Sequence, residues 1–406
     1  MAFEKAPQQP RTTARIIRWT ILALVLAGVT ALAVLHQRAG IAKPVGVDAL
    51  CPFGGLETLG SLLTGGGLVK RIALSSVLLL VAALITAVVF RRAFCGRICP
   101  LGYLQELFGG LGKRIFGRRF VMPAWLDRPA RYLKYVVLAL ILAFTWSTGE
   151  LVIRTYDPWV AYNHIASPEL LTENLIGLLV LVAVLLGSLL YDRFFCKYAC
   201  PMGAFLGLIS RFSVFKISRE EDACIDCKLC DKACPVNVSV STATTVADPE
   251  CIDCGECVAA CPAAGALGTR TRSGRTLSPP TAAVFAVGTF AALVLGATAT
   301  GHFGWTVPTL AENVAATGDT TGFDTALIKG STSLAEVAGA AGIPPAVFTQ
   351  VYGVPEAEQV LALKDLKETY GCSPGEVRAF IEAYRADPTV AETWAVGAFH
   401  EDDGEH

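Results

Sequence analysis
The chain has 406 residues, 53% of them hydrophobic, and a formal net charge of −1 at pH 7. Its mean hydropathy of +0.50 is too high for an ordinary soluble protein and points to the membrane. The length allows two or three domains, the charges are segregated along the chain, and nothing in their pattern suggests a nucleic-acid site.

In chain order, residues 1–15 are polar and basic (Lys5, Arg11, Arg15) and read as a loose cytoplasmic tail. An apolar run from Ile16 to about Leu35 follows, interrupted by Arg18, Thr20 and Thr30. It is longer than a signal-peptide core, and the Ala-x-Ala at Ala31 to Ala33 lies inside it, so a retained transmembrane helix is expected. Four further spans are expected at Ile72–Phe90, Tyr132–Gly149, Leu175–Tyr191 and Thr281–Thr298. Segment 91–130 carries Arg91, Arg92, Arg97, Lys113, Arg114, Arg118, Arg119 and Arg128, whereas segment 150–174 carries only Arg154 as a cation. The positive-inside rule makes the first cytoplasmic and the second external. The N-terminus then lies inside and everything after Thr298 outside, an inner-membrane topology of five spans.

Residues 16–215 form an expected membrane domain with an internal repeat. Phe94-Cys95-Gly-Arg-Ile-Cys99-Pro100-Leu-Gly102 recurs 101 residues later as Phe195-Cys196-Lys-Tyr-Ala-Cys200-Pro201-Met-Gly203. Each copy follows the cytoplasmic end of a span, so each unit is a helical hairpin ending in Cys-x3-Cys-Pro. Cysteines four apart on a helix share a face. If the two hairpins pack about a pseudo-twofold axis, Cys95, Cys99, Cys196 and Cys200 converge at the membrane surface. Four such thiols can hold a third iron–sulfur cluster or a soft metal ion, form two redox dithiols, or simply pack as small buried residues. Cys51 stands alone in the first outer loop and reads as structural. Arg154, Asp157, Tyr162 and His164 form a polar cluster in the second, at the outer membrane edge. That cluster could serve a quinone or proton site, but a solvated loop end with interfacial aromatics is the favoured reading.

Residues 216–268 carry eight of the fourteen cysteines. They read Cys224-Ile-Asp-Cys227-Lys-Leu-Cys230-Asp-Lys-Ala-Cys234-Pro235 and Cys251-Ile-Asp-Cys254-Gly-Glu-Cys257-Val-Ala-Ala-Cys261-Pro262. Each run is C-x2-C-x2-C-x3-C-P, the spacing that wraps three thiolates around one cubane and sends the fourth to its neighbour. The expected first [4Fe-4S] cluster uses Cys224, Cys227, Cys230 and Cys261, and the second uses Cys251, Cys254, Cys257 and Cys234. Zinc or disulfides do not call for two identical four-cysteine runs ending in Cys-Pro. Thiolate-ligated clusters imply a reducing compartment, so this α+β ferredoxin domain falls on the cytoplasmic side, in agreement with the charge argument.

A linker at 269–280 leads to the fifth span (281–298), and a Gly/Thr-rich linker covers 299–322. Within 323–395, Leu334-x2-Val337-x4-Gly342-Ile343-Pro-Pro345 matches Leu363-x2-Leu366-x4-Gly371-Cys372-Ser-Pro374 at an offset of 29, which predicts a small all-α domain of two helical hairpins. Cys372 takes the place of Ile343 and reads as core. Residues 396–406 are an acidic tail.

Two Cys-x3-Cys-Pro hairpins followed by a two-cluster ferredoxin resemble the membrane polyferredoxins related to NapH and NosR, over about residues 15–265. The resemblance implies an inner-membrane subunit passing electrons between the quinone pool and a redox protein partner. It carries the cluster ligands over to the eight ferredoxin cysteines, and the family's membrane-edge motif to Cys95, Cys99, Cys196 and Cys200. The NosR type has an N-terminal flavin domain that this chain lacks. The NapH type ends soon after the ferredoxin, whereas this chain re-enters the membrane. Two other readings compete: a copper-reducing assembly factor working through the four membrane-edge cysteines, and a redox-sensing regulatory protein whose outer domain binds a partner.

Overall fold
A computed structural model describes residues 9–38, 44–46, 50–63, 74–148, 151, 154–167, 169–172, 174–306, 310, 325–328, 330, 332–394 and 396. Residues 1–8 of the expected N-terminal tail, most of the second linker and all but residue 396 of the acidic tail lie outside them. The chain divides into two units: one of residues 1–37 and 46–304, the other of residues 38–45 and 305–406.

The first unit opens with α1 (Gln9–Arg38), whose apolar stretch leaves most of its side chains uncovered by the rest of the chain. Next come α2 (Pro52–Leu63), α3 (Leu74–Phe90), α4 (Ala93–Arg97) and α5 (Pro100–Phe116). After α6 (Ala124–Ala130) and α7 (Leu133–Thr148) the pattern repeats: α8 (Pro158–Asn163), α9 (Glu169–Thr172), α10 (Leu175–Leu190), α11 (Phe194–Tyr198) and α12 (Pro201–Ile209). Helix α15 (Pro279–Ala299) ends the unit, after the ferredoxin. Among the described residues, three helices are long and apolar enough to cross a membrane, Thr12–Gln37, Ala124–Thr148 and Pro279–Ala299, and Leu74–Phe90 and Leu175–Leu190 are shorter apolar helices. The molecule is a membrane protein with a ferredoxin domain.

The two outer connections are not plain loops. Each contains a helix that starts with proline at its first position, where the missing N–H costs nothing: Pro52 for α2 and Pro158 for α8. Each lies against the span leading into its Cys-x3-Cys unit. A Cβ on Gly55 of α2 would stand 2.6 Å from the Ser76 carbonyl oxygen of α3, and one on Gly177 of α10 would stand 3.2 Å from the Ala161 Cβ of α8. Both helices are too short for a periodic signal to reveal them in the sequence.

The ferredoxin domain has a three-stranded antiparallel sheet in the order β1 (Phe215–Arg219), β2 (Leu267–Thr271), β3 (Thr276–Leu277), with Ile217 opposite Thr269. Between β1 and β2 lie α13 (Leu229–Ala233) and α14 (Glu256–Ala260), each holding the third cysteine of its run, Cys230 and Cys257, as its second residue. Val236, Val238, Val240 and Val246 join Ile217 and Ile252 in one core with residues of the membrane helices.

The second unit contains helices Leu334–Ala341, Pro345–Tyr352, Leu363–Tyr370 and Pro374–Ala386. Ser333 and Glu336 form a capping box at the first, and Gly342 and Gly371 close the first and third in the left-handed conformation that glycine adopts most easily. Cys372 is fully buried with Ile343, Phe348 and Phe380.

Candidate iron–sulfur relay
The two cysteine runs share an unusual backbone. Asp226 and Lys228 in the first have φ of 49° and 56°, and Asp253 and Gly255 in the second have 48° and 77°. Left-handed residues alternating with ordinary ones turn successive N–H groups inward, a nest suited to an anionic group. Cys234 of the first run joins Cys251, Cys254 and Cys257 in lining one small enclosed cavity. Burial pushes the Cys234 thiol up to about 11, with the neighbouring Cys254 adding to the effect. Cys230 is raised to about 11 as well, by burial first and with Cys261 among its charged neighbours. Cys234 thus stands with the three cysteines of the second run, and Cys261 lies near Cys230 of the first. Among the described residues, no three His, Cys, Asp or Glu side chains stand close enough to hold a single metal ion. A cubane makes a different demand, one thiolate per iron, so its thiols need not crowd around one point.

The runs differ in exposure. Cys227 is exposed and Cys224 half-buried, whereas the second run lies against the membrane helices. Gly96, between Cys95 and Cys99, has no room for a side chain: a Cβ there would overlap the Ile252 carbonyl oxygen and lie 3.3 Å from the Cys254 nitrogen.

The two Cys-x3-Cys units interlock. A Cβ on Gly203 would stand 2.6 Å from Arg92 Nη2, and a Cβ on Gly102 would stand 2.8 Å from Arg193 Nη1. Arg92 and Arg193 occupy equivalent places in the repeat, as do Gly102 and Gly203, so each arginine enters the turn of the opposite unit. That reciprocity is a pseudo-twofold axis. It leaves the four thiols close enough to act on one another's charge: burial pushes Cys99 up to about 12, with Cys196 and Cys95 adding to it. Cys200 is raised by burial and then by Cys196, Cys95 and Cys99. The axis is broken at Gln105. Its Nε2 donates to Cys196 Sγ at 3.2 Å, while its Oε1 accepts from the Phe195 N–H at 3.0 Å.

The basic residues that marked topology in the sequence have a second role, as buried clamps. Arg91, Arg92, Arg97, Lys134 and Arg193 are each at most 3% exposed. Arg91 donates to the carbonyls of Val246 (2.7 Å) and Asp248, and Arg92 to that of Pro249 (3.1 Å). Lys134 and Arg92 pair with Glu250, Arg97 with Asp253, and Arg18 of α1 with Glu106 and Glu256. Buried charges persist only when paired and hydrogen-bonded, and here backbone carbonyls and carboxylates, most of them from the ferredoxin, supply the partners. The sequence carries a signal for these clamps: Arg-x2-Cys opens both units, at Arg92–Cys95 and Arg193–Cys196.

The polar residues of the second connection each have a structural partner of their own. Asp157 caps α8 by accepting from the Trp159 N–H at 2.8 Å, and His164 Nδ1 lies 3.1 Å from the Val160 carbonyl oxygen. Asp157 and Arg154 both act on Glu57 of α2, whose carboxyl is raised to about 8 by burial and Asp157, against the opposing pull of Arg154. Tyr162 is buried rather than standing at a loop end, and its cluster with Leu101 and Leu181 packs against Cys99. Cys51 is half-buried beside the same core as Cys99, next to Asp157 and Glu57 in charge range, a placement its isolation in sequence did not reveal.

The 4Fe-4S binding domain family matches residues 72–119 and 173–220, the two Cys-x3-Cys units with their preceding spans, and the 4Fe-4S dicluster domain family matches residues 216–262. YccM of Escherichia coli is 35% identical over 213 residues, 52% of this chain and 59% of that protein. An uncharacterized protein of Methanocaldococcus jannaschii is 29% identical over 182 residues, 43% of this chain and 66% of its own length. The ferredoxin-type protein NapH of Escherichia coli is 27% identical over 187 residues, 44% of this chain and 59% of NapH. The chain thus covers less than two thirds of the length of each of these relatives. No solved structure matches. With both 4Fe-4S domains matched across the interlocked thiol units and the ferredoxin runs, the chain is similar to the NapH/NosR-type membrane polyferredoxins.

Proposed function
We propose that this chain is an electron carrier of the bacterial inner membrane, passing electrons between the quinone pool and a redox protein partner. Cys224, Cys227, Cys230 and Cys261 would hold one [4Fe-4S] cluster, and Cys251, Cys254, Cys257 and Cys234 the other. Cys95, Cys99, Cys196 and Cys200 would form a third centre. The observation that carries the reading is the contact of Gly96 with the Ile252–Cys254 backbone, set against the exposure of Cys227. It supports a linear order: soluble partner, first cluster, second cluster, membrane thiols. Five spans would put the N-terminus and ferredoxin in the cytoplasm and residues 305–406 outside.

The clusters supply reversible one-electron chemistry when bound. The protein's own groups hold the thiols, exclude water by burial and aim N–H donors at sulfur, which tunes potential. Iron analysis with potentiometric EPR on the purified protein is the test. About eight irons per chain would account for the ferredoxin clusters and about twelve for a third cubane. Iron-free protein, or clusters that quinol never reduces, would sink the reading.

A further inference from the structure
A groove of about 770 Å³ runs along α1, lined by Ala27, Ala31 and Thr30 of α1, Tyr103 and Leu107 of α5, and Tyr162 of α8. The groove is open along its length rather than enclosed, so it suits a molecule that stays partly in lipid. Its lining is almost wholly apolar and it opens on the uncovered side of α1, so whatever enters it comes from the lipid phase.

Its polar groups have a defined direction. The Thr30 hydroxyl donates to the Leu26 carbonyl at 2.7 Å, so its single proton is committed. The Tyr162 hydroxyl, 2.6 Å from Thr30 Oγ1, must therefore be the donor of that pair. Its phenolic oxygen then has lone pairs and no proton left to give. It can accept a hydrogen bond from a ligand O–H but cannot donate one. The Tyr162 ring is held in place by Trp159, stacked 5.3 Å away at 3°, and by the cluster against which Cys99 packs.

We propose that this groove binds a prenylated quinol, the tail along Ala27 and Ala31 and one ring hydroxyl donating to Tyr162. The proposal rests on the electron-transfer reading above and names the carrier's place within it. An acceptor-only oxygen favours the reduced carrier over the quinone, which has no O–H to offer. Oxidation there releases two electrons, one to each of two iron–sulfur centres reached through the Cys99 side, and two protons to water. The hydroquinone becomes the quinone, and the centres are the oxidant.

The experiment uses the cluster-loaded full chain in lipid nanodiscs with a photoactivatable prenyl benzoquinol, and locates the label by peptide mapping. Saturable labelling should fall on the α1 peptide around residues 23–35. Ala27→Phe, which fills the groove from an exposed position, should abolish it. Tyr162→Phe should weaken it about three- to tenfold, the loss of one hydrogen bond. Iron content and reduction by dithionite should stay unchanged in both, and Ala31→Leu replaces Ala27→Phe if that variant loses iron. Labelling elsewhere, labelling indifferent to the filled groove, or non-saturable labelling typical of a crevice that holds only lipid would each overturn the proposal. Groove labelling without any cluster reduction by quinol would uphold the site and overturn the electron-transfer reading. Quinol-driven reduction unaffected by a filled groove would do the reverse.

Discussion

Gly96 and Ile252 meet backbone to backbone: no side chain fits between the first Cys-x3-Cys unit and the carbonyl of the second cysteine run. The ferredoxin is seated on the membrane helices at a point where one methyl group decides the fit. Gly96→Ala should therefore weaken the seating by about 1–3 kcal/mol, the usual cost of overpacking. The thermal loss of the second cluster's EPR signal should move to lower temperature. Gly110→Ala, whose Cβ would meet open space, is the control and should leave the signal alone. Equal behaviour of the two variants would mean that the contact is slack.

Cross-ligation gives a second outcome. Because Cys234 lines a cavity with Cys251, Cys254 and Cys257, Cys234→Ser should alter the EPR signal of the cluster held by the second run. A change confined to the first run's cluster would show that each run serves itself.

Gln105 should set the potential of the membrane centre. Its amide is oriented by two-sided bonding, with the oxygen fixed by the Phe195 N–H, so the N–H faces Cys196. A hydrogen bond to sulfur stabilises the reduced, more negative state. Gln105→Leu, the residue type found at the equivalent Leu206, should lower the midpoint potential with iron content unchanged. An unmoved potential would leave Gln105 as a packing residue.

The four membrane thiols should act as one. Alanine variants of the Cys95/Cys99 pair, the Cys196/Cys200 pair and all four should lose quinol-dependent cluster reduction to the same extent, since a half-liganded group falls out. Additive losses with iron constant would point to independent dithiols, and wild-type activity of the quadruple variant would leave packing alone.

Glu57 gives a pH signature. Its folded pKa of about 8 lies above the ordinary 4.5, because burial and then Asp157 disfavour the carboxylate while Arg154 partly restores it. The folded state therefore holds a proton that the unfolded chain releases between pH 4.5 and 8, and the stabilisation, full below 4.5, is lost as pH rises through about 8. An infrared band of a protonated carboxyl should be present at pH 7, fade by pH 9 and be missing from Glu57→Gln. A pH-independent spectrum would place Glu57 in water.

The cysteine runs were legible because ligand chemistry fixes spacing along the chain, and the paired thiols because the repeat is literal. Tyr162 and Cys51 were not. Their surroundings come from helices that fold back against distant spans, and a six-residue helix such as α8 leaves no period to read. The buried arginines were misread in emphasis for a related reason. A cation in a cytoplasmic loop obeys the same charge rule whether it faces water or the ferredoxin backbone, so sequence yields the side of the membrane and not the partner. Gly96 could be noticed only as a glycine, since what forbids a side chain there is Ile252, 156 residues further on.

The exchange of Arg92 and Arg193 across the axis has an evolutionary corollary. A guanidinium resting in the neighbouring half's turn makes that turn's glycine a hostage to a residue encoded about a hundred codons away. Neither half can drift alone: a lineage that loses the arginine of one half frees the glycine of the other to become alanine, and no other change does so. Members of the family that retain only one arginine should thus carry a single substituted glycine, and it should sit in the half from which the arginine is still present.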